Sequence, residues 1–300
     1  MCGGGVGAPF RSKTEREIET VDVRISLVIP AYNAAETLPM TLLSVCQQLR
    51  PPDELVFVDD GSTDATVEVV ERYRPLLPCP LRIIRTERQG PSHACNIAIR
   101  LAKGNFVAFL GADDLWLPEK LLLQEPLLKA GHRFVATDFA VMSEIGELAF
   151  VKCRLRCGRV ARRMLGAPLC AGQTVVAERR LLLDVGGFPN LPVGEDHALW
   201  MRLAKRARLV VVPRILALVR QRKGSLSWNP ERALKGMIMQ MEEAIRLMPG
   251  EFGPLFRAAW RLAPRLRPLI CAIKRLHLCG PAESRRRIIS WLKLLRRRSP

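Results

Sequence analysis

The chain contains no uninterrupted apolar run of the roughly 18–20 residues that a bilayer-crossing helix needs. Its first twenty residues, Met1 to Thr20, are Gly-rich and then charged. They lack the apolar stretch of a secretory signal, so the expectation is a mature start here and a cytosolic location. Paired C-x-x-C spacing is also missing. Nine scattered cysteines, an odd number, point to reduced and mostly buried thiols. Cys153 and Cys157 stand among Lys152, Arg154, Arg156 and Arg159, which leaves a redox or metal role open for that pair. His93, His132, His197 and His277 have no metal-ligand spacing and read as solvated or satisfied core histidines. With 48% hydrophobic and 25% charged residues, the 300-residue chain is neither wholly disordered, collagen-like nor a disulfide miniprotein.

Acidic residues are in deficit: 29 Asp and Glu face 47 Lys and Arg, a formal net charge of +18. Residues 251–300 hold thirteen of the cations and only Glu251 and Glu283 as counter-charges. There Leu255, Ala259, Leu262, Leu266, Leu269, Ile273 and Leu276 recur at steps of four and three, one helical stripe that Pro264 and Pro268 must kink or break. A second basic stretch, Ser284 to Arg298, carries Ile288, Trp291, Leu292 and Leu295 near one face. The pattern suits a helix on an anionic membrane surface. A stripe packed on the main domain is the alternative. Nucleic acid is not the expected partner, because the tail is poor in aromatics and no nucleic-acid module accompanies it.

Along the first half, apolar runs too short for helices alternate with helical spacing. Ile25–Ile29, Leu55–Val58, Leu81–Ile84 and Phe106–Leu110 read as strands. Ala35–Gln48, a stretch ending near Tyr73, and Ser92–Ala102 read as helices. Such alternation predicts a parallel sheet covered by helices. The second half changes character. Phe134–Met142 and Leu148–Leu155 flank a turn at Gly146, Thr174–Ala177 is a short strand, and Glu178–Val185 is a helix stopped by Gly186-Gly187. Glu195–Arg206 is helical, and Leu209–Val212 and Ile215–Val219 are strands split by Pro213. This half is expected to form a lid of mixed structure on the first.

In parallel sheets ligands bind beyond the carboxyl ends of the strands. Tyr32 and Asn33 follow the first strand, Asp59 and Asp60 the second, Asp113 and Asp114 the fourth. Two pairs of carboxylates at the strand ends of one sheet indicate a shared site. Each has a plainer reading: Asp113 and Asp114 as turn caps, Tyr32 as a core aromatic, Glu195 and Asp196 as acids at the positive end of a helix.

Six stretches carry a resemblance: Ser26–Asn33, Val58–Asp64, Gly90–Asn96, Gly104–Trp116, Val185–Phe188 and Gly194–Trp200. In this order they resemble the inverting glycosyltransferases of family 2, over about residues 25–227. The resemblance implies a GT-A type α/β fold, a mostly parallel Rossmann-like sheet flanked by helices with a mixed acceptor-side region, and transfer of a sugar from a nucleotide donor, often a uridine diphosphate sugar, to a hydroxyl. It implies Mn²⁺ or Mg²⁺ on Asp113 and Asp114, with Asp113 also at the donor, to neutralise the diphosphate leaving group. By the same resemblance Pro30, Ala31, Tyr32 and Asn33 border the nucleobase and Asp60 accepts the imide hydrogen of uracil. Asp196 matches the base that deprotonates the acceptor, with Glu195 beside it.

Three positions depart from the family pattern. Gly111 stands where many members have Asp, and Cys95 where Arg is common. Arg220-Gln-Arg-Lys223 stands where His is frequent, so Arg220, Arg222 or Lys223 is expected to hold the diphosphate by charge. The expected organisation is a flexible segment 1–24, a GT-A domain 25–228 (nucleotide-binding half 25–130, acceptor half 131–228) and a helical basic C-terminal extension 229–300. The expected work is cell-surface polysaccharide or glycolipid synthesis on a lipid-linked or saccharide acceptor at the cytoplasmic membrane face. Two rivals are a non-catalytic nucleotide-sugar-binding protein of the same fold and a nucleotidyltransferase. The second is disfavoured because Pro30-Ala-Tyr-Asn33 occupies the place of a Gly-rich phosphate loop.

Overall fold

The computed structural model describes residues 22–143, 147–152, 157–158, 170–191, 193–221, 230–251 and 253–254. Expectations that fall on Met1–Thr20, Gly146, Cys153, Arg222, Lys223 and the basic tail from residue 255 therefore lie outside the described residues.

Strands β1 (Ile25–Ala31), β2 (Glu54–Asp59), β3 (Leu81–Arg85) and β4 (Phe106–Phe109) are joined through helices α1 (Leu38–Cys46), α2 (Thr66–Tyr73) and α3 (Pro91–Leu101). All the adjacent pairs among these strands are parallel, in the order β3-β2-β1-β4. β1 and β2 are buried and apolar along their length except for Ser26, which donates to Glu54, and Asp59 at the end of β2. β1 runs two residues past its expected end, through Pro30. Its neighbour on one side is β2, whose Asp60 N–H reaches the Ala31 carbonyl. On the other side β4 has already ended with the Leu110 N–H on the Val28 carbonyl. Alternate residues bond to opposite neighbours, so the hydrogen bond Pro30 cannot make falls where no strand needs it.

The second half extends this sheet and does not form a separate lid. Strands β5 (Leu115–Trp116), β6 (Phe134–Met142), β7 (Leu148–Lys152), β8 (Val176–Glu178) and β9 (Leu209–Arg220) join it. The order is β3-β2-β1-β4-β8-β6-β9-β5, with β7 antiparallel on β6. β8 is antiparallel to both β4 and β6, which turns the sheet from its parallel half to its mixed half. Pro213 does not split β9. The register on β6 jumps from Thr137↔Val212 to Asp138↔Ile215, so exposed Pro213 and Arg214 bulge out of one long strand.

Helices α4 (Lys120–Lys129), α5 (Arg179–Asp184), α6 (Glu195–Arg206) and α7 (Pro230–Leu247) complete the described elements. Trp200 of α6 is fully buried, with the rings of Phe109, Phe134 and Phe188 at centroid distances of 5.8–5.9 Å. Such pairs add about 0.5–1.5 kcal/mol each beyond area burial, enough to fix α6 on β4 and β6. α7 lies on α6, with Met241, Ala244 and Met248 in the same core and an Arg202–Glu243 ion pair at 2.6 Å. The first helix of the expected extension is therefore part of the domain's core.

Candidate active site

The carboxyl ends of β1, β2 and β4 bring Tyr32, Asn33, Asp59, Asp60, Asp113 and Asp114 to one edge of the sheet. Asp60 is buried, and its two carboxylate oxygens accept the backbone N–H groups of Gln89 at 2.9 Å and Gly90 at 2.7 Å. It thereby ties the loop before α3 to β2. The Thr86 hydroxyl also donates to Oδ1 at 3.5 Å, and Oδ2 keeps a second lone pair for a ligand donor. Asp59 is buried beside Arg85, 3.4 Å away, and accepts the Ser62 N–H.

Tyr32 is half-buried and is not a core aromatic. The exposed Arg88 guanidinium lies 3.7 Å from its ring centroid and donates to its hydroxyl at 2.8 Å. A flat tyrosine–guanidinium surface thus stands beside the nucleobase position implied by the resemblance. Asn33 takes a left-handed backbone, φ +46°, with its side-chain oxygen accepting the Thr63 N–H, so the segment after β1 turns sharply across the top of β2.

Asp114 is 3% exposed and fully engaged. One oxygen accepts the Arg220 N–H at 2.8 Å, and the other accepts the side-chain amide of Gln173. Arg220 also donates through Nε to the Asp113 carbonyl at 3.0 Å, so the last residue of β9 is bound to the loop after β4. Burial, and then the neighbouring Asp113 charge, push the Asp114 carboxyl up to about 8. Two like charges held this close in a buried place cost energy until a cation joins them.

Gly111 has a steric role in that arrangement. A Cβ at this position would stand 2.5 Å from one Asp114 carboxylate oxygen and 3.1 Å from one of Asp113. The missing side chain is the room the two carboxylates occupy.

No metal ion is present, and among the described residues no group of three or more His, Cys, Asp and Glu gathers round one point. The donors are nonetheless hard oxygens: two carboxylates and the Gln173 Oε1, which is buried without a hydrogen-bond partner. Mg²⁺ and Mn²⁺ sites that hold substrate phosphates commonly use one or two protein carboxylates, so the residues fit such an ion.

Asp196 and Glu195 open α6, as expected, after Gly194 in the left-handed region at φ +82°. A side chain at Gly194 would collide with Gln240 of α7, whose amide donates to the Val193 carbonyl at 3.2 Å. α7 therefore braces the turn that delivers both carboxylates. Asp196 accepts the His197 N–H at 2.6 Å, and the nearby Gly172 backbone favours its charged form. Burial raises its pKa, while those groups work the other way. Burial, then the Asp196 charge, push Glu195 up to about 7. The helix-capping reading and a proton-accepting role are both served by this geometry.

Gln173 and Gly172 carry no signal in the sequence. They belong to a single 3₁₀ turn, Gly172–Thr174, from which the Gln173 amide reaches Asp114. Cys95, in α3, is buried in the apolar core and near enough to Asp60, Glu195 and Asp196 to feel their charge, which with burial raises its thiol pKa. Among the described residues, Cys46, Cys79, Cys95 and Cys157 are free thiols. No described helix is long and apolar enough to cross a membrane.

Residues 26–151 match the family model described as Glycosyl transferase family 2. The putative teichuronic acid biosynthesis glycosyltransferase TuaG of Bacillus subtilis is 28% identical over 225 residues, 74% of this chain and 89% of that protein. The UDP-Glc:alpha-D-GlcNAc-diphosphoundecaprenol beta-1,3-glucosyltransferase WfgD of Escherichia coli is 27% identical over 227 residues, 71% of this chain and 83% of that protein. Other curated relatives are far longer, and the match spans 32–36% of their length. Among solved structures, the mannosyltransferase PcManGT of Pyrobaculum calidifontis, in complex with GDP-Man and Mn²⁺, superposes with a TM-score of 0.59 at 23% identity, over 94% of this chain and 84% of that one. The chain carries a glycosyltransferase domain, and the domain has the GT-A fold.

Proposed function

We propose that this glycosyltransferase chain moves a sugar, with inversion and with a divalent cation, from a nucleoside diphosphate sugar to a hydroxyl of a lipid-linked or saccharide acceptor in cell-surface polysaccharide synthesis. The observation that carries the reading is the presence of Asp113 and Asp114 after β4, bound to Arg220, together with Asp196 in the first turn of α6. A leaving-group centre and a separate proton acceptor are what a single inverting displacement requires. A uridine donor is supported by the name of the Escherichia coli relative, which uses UDP-Glc and an undecaprenol diphosphate acceptor. A polymer of the cell envelope is supported by the Bacillus subtilis relative.

Asp60 and the loop it holds, with Tyr32 and Arg88, form the nucleobase end in this reading. Asp113 and Asp114 would hold Mg²⁺ or Mn²⁺, which when bound supplies positive charge to the diphosphate oxygens. Arg220, already bound to both aspartates, lends a fixed guanidinium at the same end. As the acceptor oxygen bonds to the anomeric carbon, the bond from that carbon to the diphosphate oxygen breaks, and Asp196 takes the hydroxyl proton. A carboxylate raised by burial is better matched to that task near neutrality than a solvated one. The basic tail and its membrane-surface role, with peripheral attachment at the cytoplasmic face, remain part of the proposal; they concern residues outside those described.

The test is Asp196→Asn with UDP-sugars and Mn²⁺. Donor binding measured by calorimetry should persist, and transfer should slow by at least ~10²-fold, the lower end of a positioned base's contribution. Joint loss of donor binding and thermal stability would make Asp196 structural and move the base to Glu195.

A further inference from the structure

The carboxyl ends of the strands hold the aspartates of the candidate site, and the opposite edge of the sheet gathers cations. Lys103 stands at the foot of β1 and β2, where its N–H and that of Gly104 bond to Glu54 and Ser26. Arg180 follows β8, which ends at the same edge because it is antiparallel to β4. The Arg179 N–H there reaches the Asn105 carbonyl, just before β4. β6 and β9 run with β4, so Arg133 and Arg208 stand side by side, each one residue before the pair Phe134↔Leu209. α6 ends just before Arg208, with Lys205 and Arg206 in its last turn.

Helix ends account for only part of this charge. Cations favour the last turn of a helix, and Arg100, Lys205 and Arg206 occupy such turns. At the end of α3, however, the carbonyls of Ile99, Arg100 and Leu101 are already taken by the guanidinium groups of Arg179, at 2.8 and 2.7 Å, and Arg82, at 3.0 Å. Arg180 even stands in the first turn of α5, the end that disfavours a cation. Arg100, Lys103, Arg180, Arg206 and Arg208 are exposed and have no carboxylate partner among the described residues. Leu101, 40% exposed, lies between Arg100 and Lys103, and Leu183, 39% exposed, lies one turn beyond Arg180. No aromatic ring is exposed among the described residues of this edge, so a nucleobase finds nothing to stack on. Cations interspersed with leucines match an anionic lipid surface, whose headgroup layer takes up both. The Lys205 ammonium donates to the Leu247 carbonyl at the end of α7, so the thirteen cations of residues 251–300 follow in the chain from this same corner.

We propose that this edge of the folded domain is a docking face for an anionic membrane surface, and that it turns the catalytic edge away from the bilayer. β1 spans seven residues. At about 3.3 Å per residue, the site stands roughly 20 Å from the docked edge. The docking face does not depend on the functional reading above; its consequence does. In that reading, the accepting hydroxyl is one carried outward on a saccharide, not the sugar next to the lipid.

The experiment sediments the full chain with vesicles of phosphatidylglycerol and phosphatidylcholine in equal parts. A cation close to such a surface changes affinity about fivefold. The double variant Arg100→Gln/Lys103→Gln is expected to bind the vesicles at least ~10-fold more weakly than wild type. Arg214→Gln/Lys235→Gln removes the same charge from exposed positions away from this edge, and its affinity should stay within about threefold of wild type. UDP with Mn²⁺ should bind the wild-type chain equally well with and without saturating vesicles. Equal losses in the two double variants, or unchanged vesicle binding in the first, overturn the docking face. Vesicles that compete with UDP put the site against the bilayer and overturn the orientation. Retention on duplex DNA without binding to vesicles overturns the choice of a lipid surface. A chain that docks through this edge yet binds no UDP at any Mn²⁺ concentration supports the docking face and overturns the functional reading, with its consequence for the acceptor.

Discussion

Replacing Gly111 with alanine adds one methyl-sized group at the most crowded point of the proposed leaving-group centre. The new Cβ would stand 2.5 Å from an Asp114 carboxylate oxygen, about 0.9 Å inside ordinary contact at 3.4 Å, and 3.1 Å from an Asp113 oxygen. Gly111 itself has no left-handed backbone to protect, so the perturbation is purely one of space. The Asp114 oxygen that must retreat is the one bonded to Gln173, and its twin holds the Arg220 N–H at 2.8 Å. A displacement of that size takes at least one of these bonds out of range. The expected cost is one charge-assisted bond, about 1.5–3 kcal/mol, on top of the ~1–3 kcal/mol typical of overpacking. Mn²⁺-dependent UDP binding should therefore weaken by roughly 10–150-fold. Calorimetric titration of UDP at fixed Mn²⁺, alongside a chemical denaturation curve, measures both terms. Wild-type UDP affinity in a folded Gly111→Ala chain would refute the claim that this glycine is the space the carboxylates need.

Other outcomes follow from the buried charges. The Asp114 carboxyl is raised to about 8 in the folded chain from an ordinary 3.8. Its proton thus favours the folded state below pH 4, and that contribution is lost as pH rises toward 8. In the presence of chelator, Asp114→Asn should be more stable than wild type at pH 8.5, with the difference shrinking toward pH 5. Adding Mn²⁺ should raise the unfolding midpoint of wild type alone, and a difference that did not depend on pH would contradict the burial argument. Burial places the Lys120 amine well below its ordinary 10.5. The unfolded chain therefore binds the extra proton between the folded value and 10.5, and stability rises with pH across that window. Lys120→Met should accordingly gain more stability at pH 7 than at pH 10, as read from urea midpoints, even though it leaves Gln124 Oε1 without its donor. Equal shifts at both pH values would mean that Lys120 stays charged against the Trp116 ring.

What could be read from sequence was what local order encodes. β1, β2 and β4 stand out because strands buried on both faces are short, mainly apolar runs, whereas half-buried β3 at the sheet edge shows only its Leu81, Ile83 and Ile84. α6 stands out because an acidic first turn, apolar spacing and a basic last turn all agree on its limits. α4 was not legible: Pro126 lies inside it, and a helix with apolar residues on nearly every side has little periodic contrast. Pro213 looked like a break because a proline cannot donate to a sheet, and a bulge removes the need for that donor without ending the strand.

The site divides along the same line. Asp60, Asp113 and Asp114 were singled out from where they follow strands, and Asp196 from the family resemblance. Gln173 and Arg88 were not, since their partners Asp114 and Tyr32 lie 59 and 56 residues away and no local pattern records the contact. Gly111 shows the sharper limit. Read along the chain it is a carboxylate missing from a motif; in three dimensions it is the vacancy that lets the remaining two approach each other. A side chain restored there would compete with Asp114 for one volume, so the shortened motif and the Gln173 amide form a single solution to holding buried Asp114 beside half-buried Asp113. The departure from the family pattern is then compatible with the proposed metal site. The third polar group beside the two carboxylates is the Gln173 amide, on the turn before β8 and not on the loop after β4.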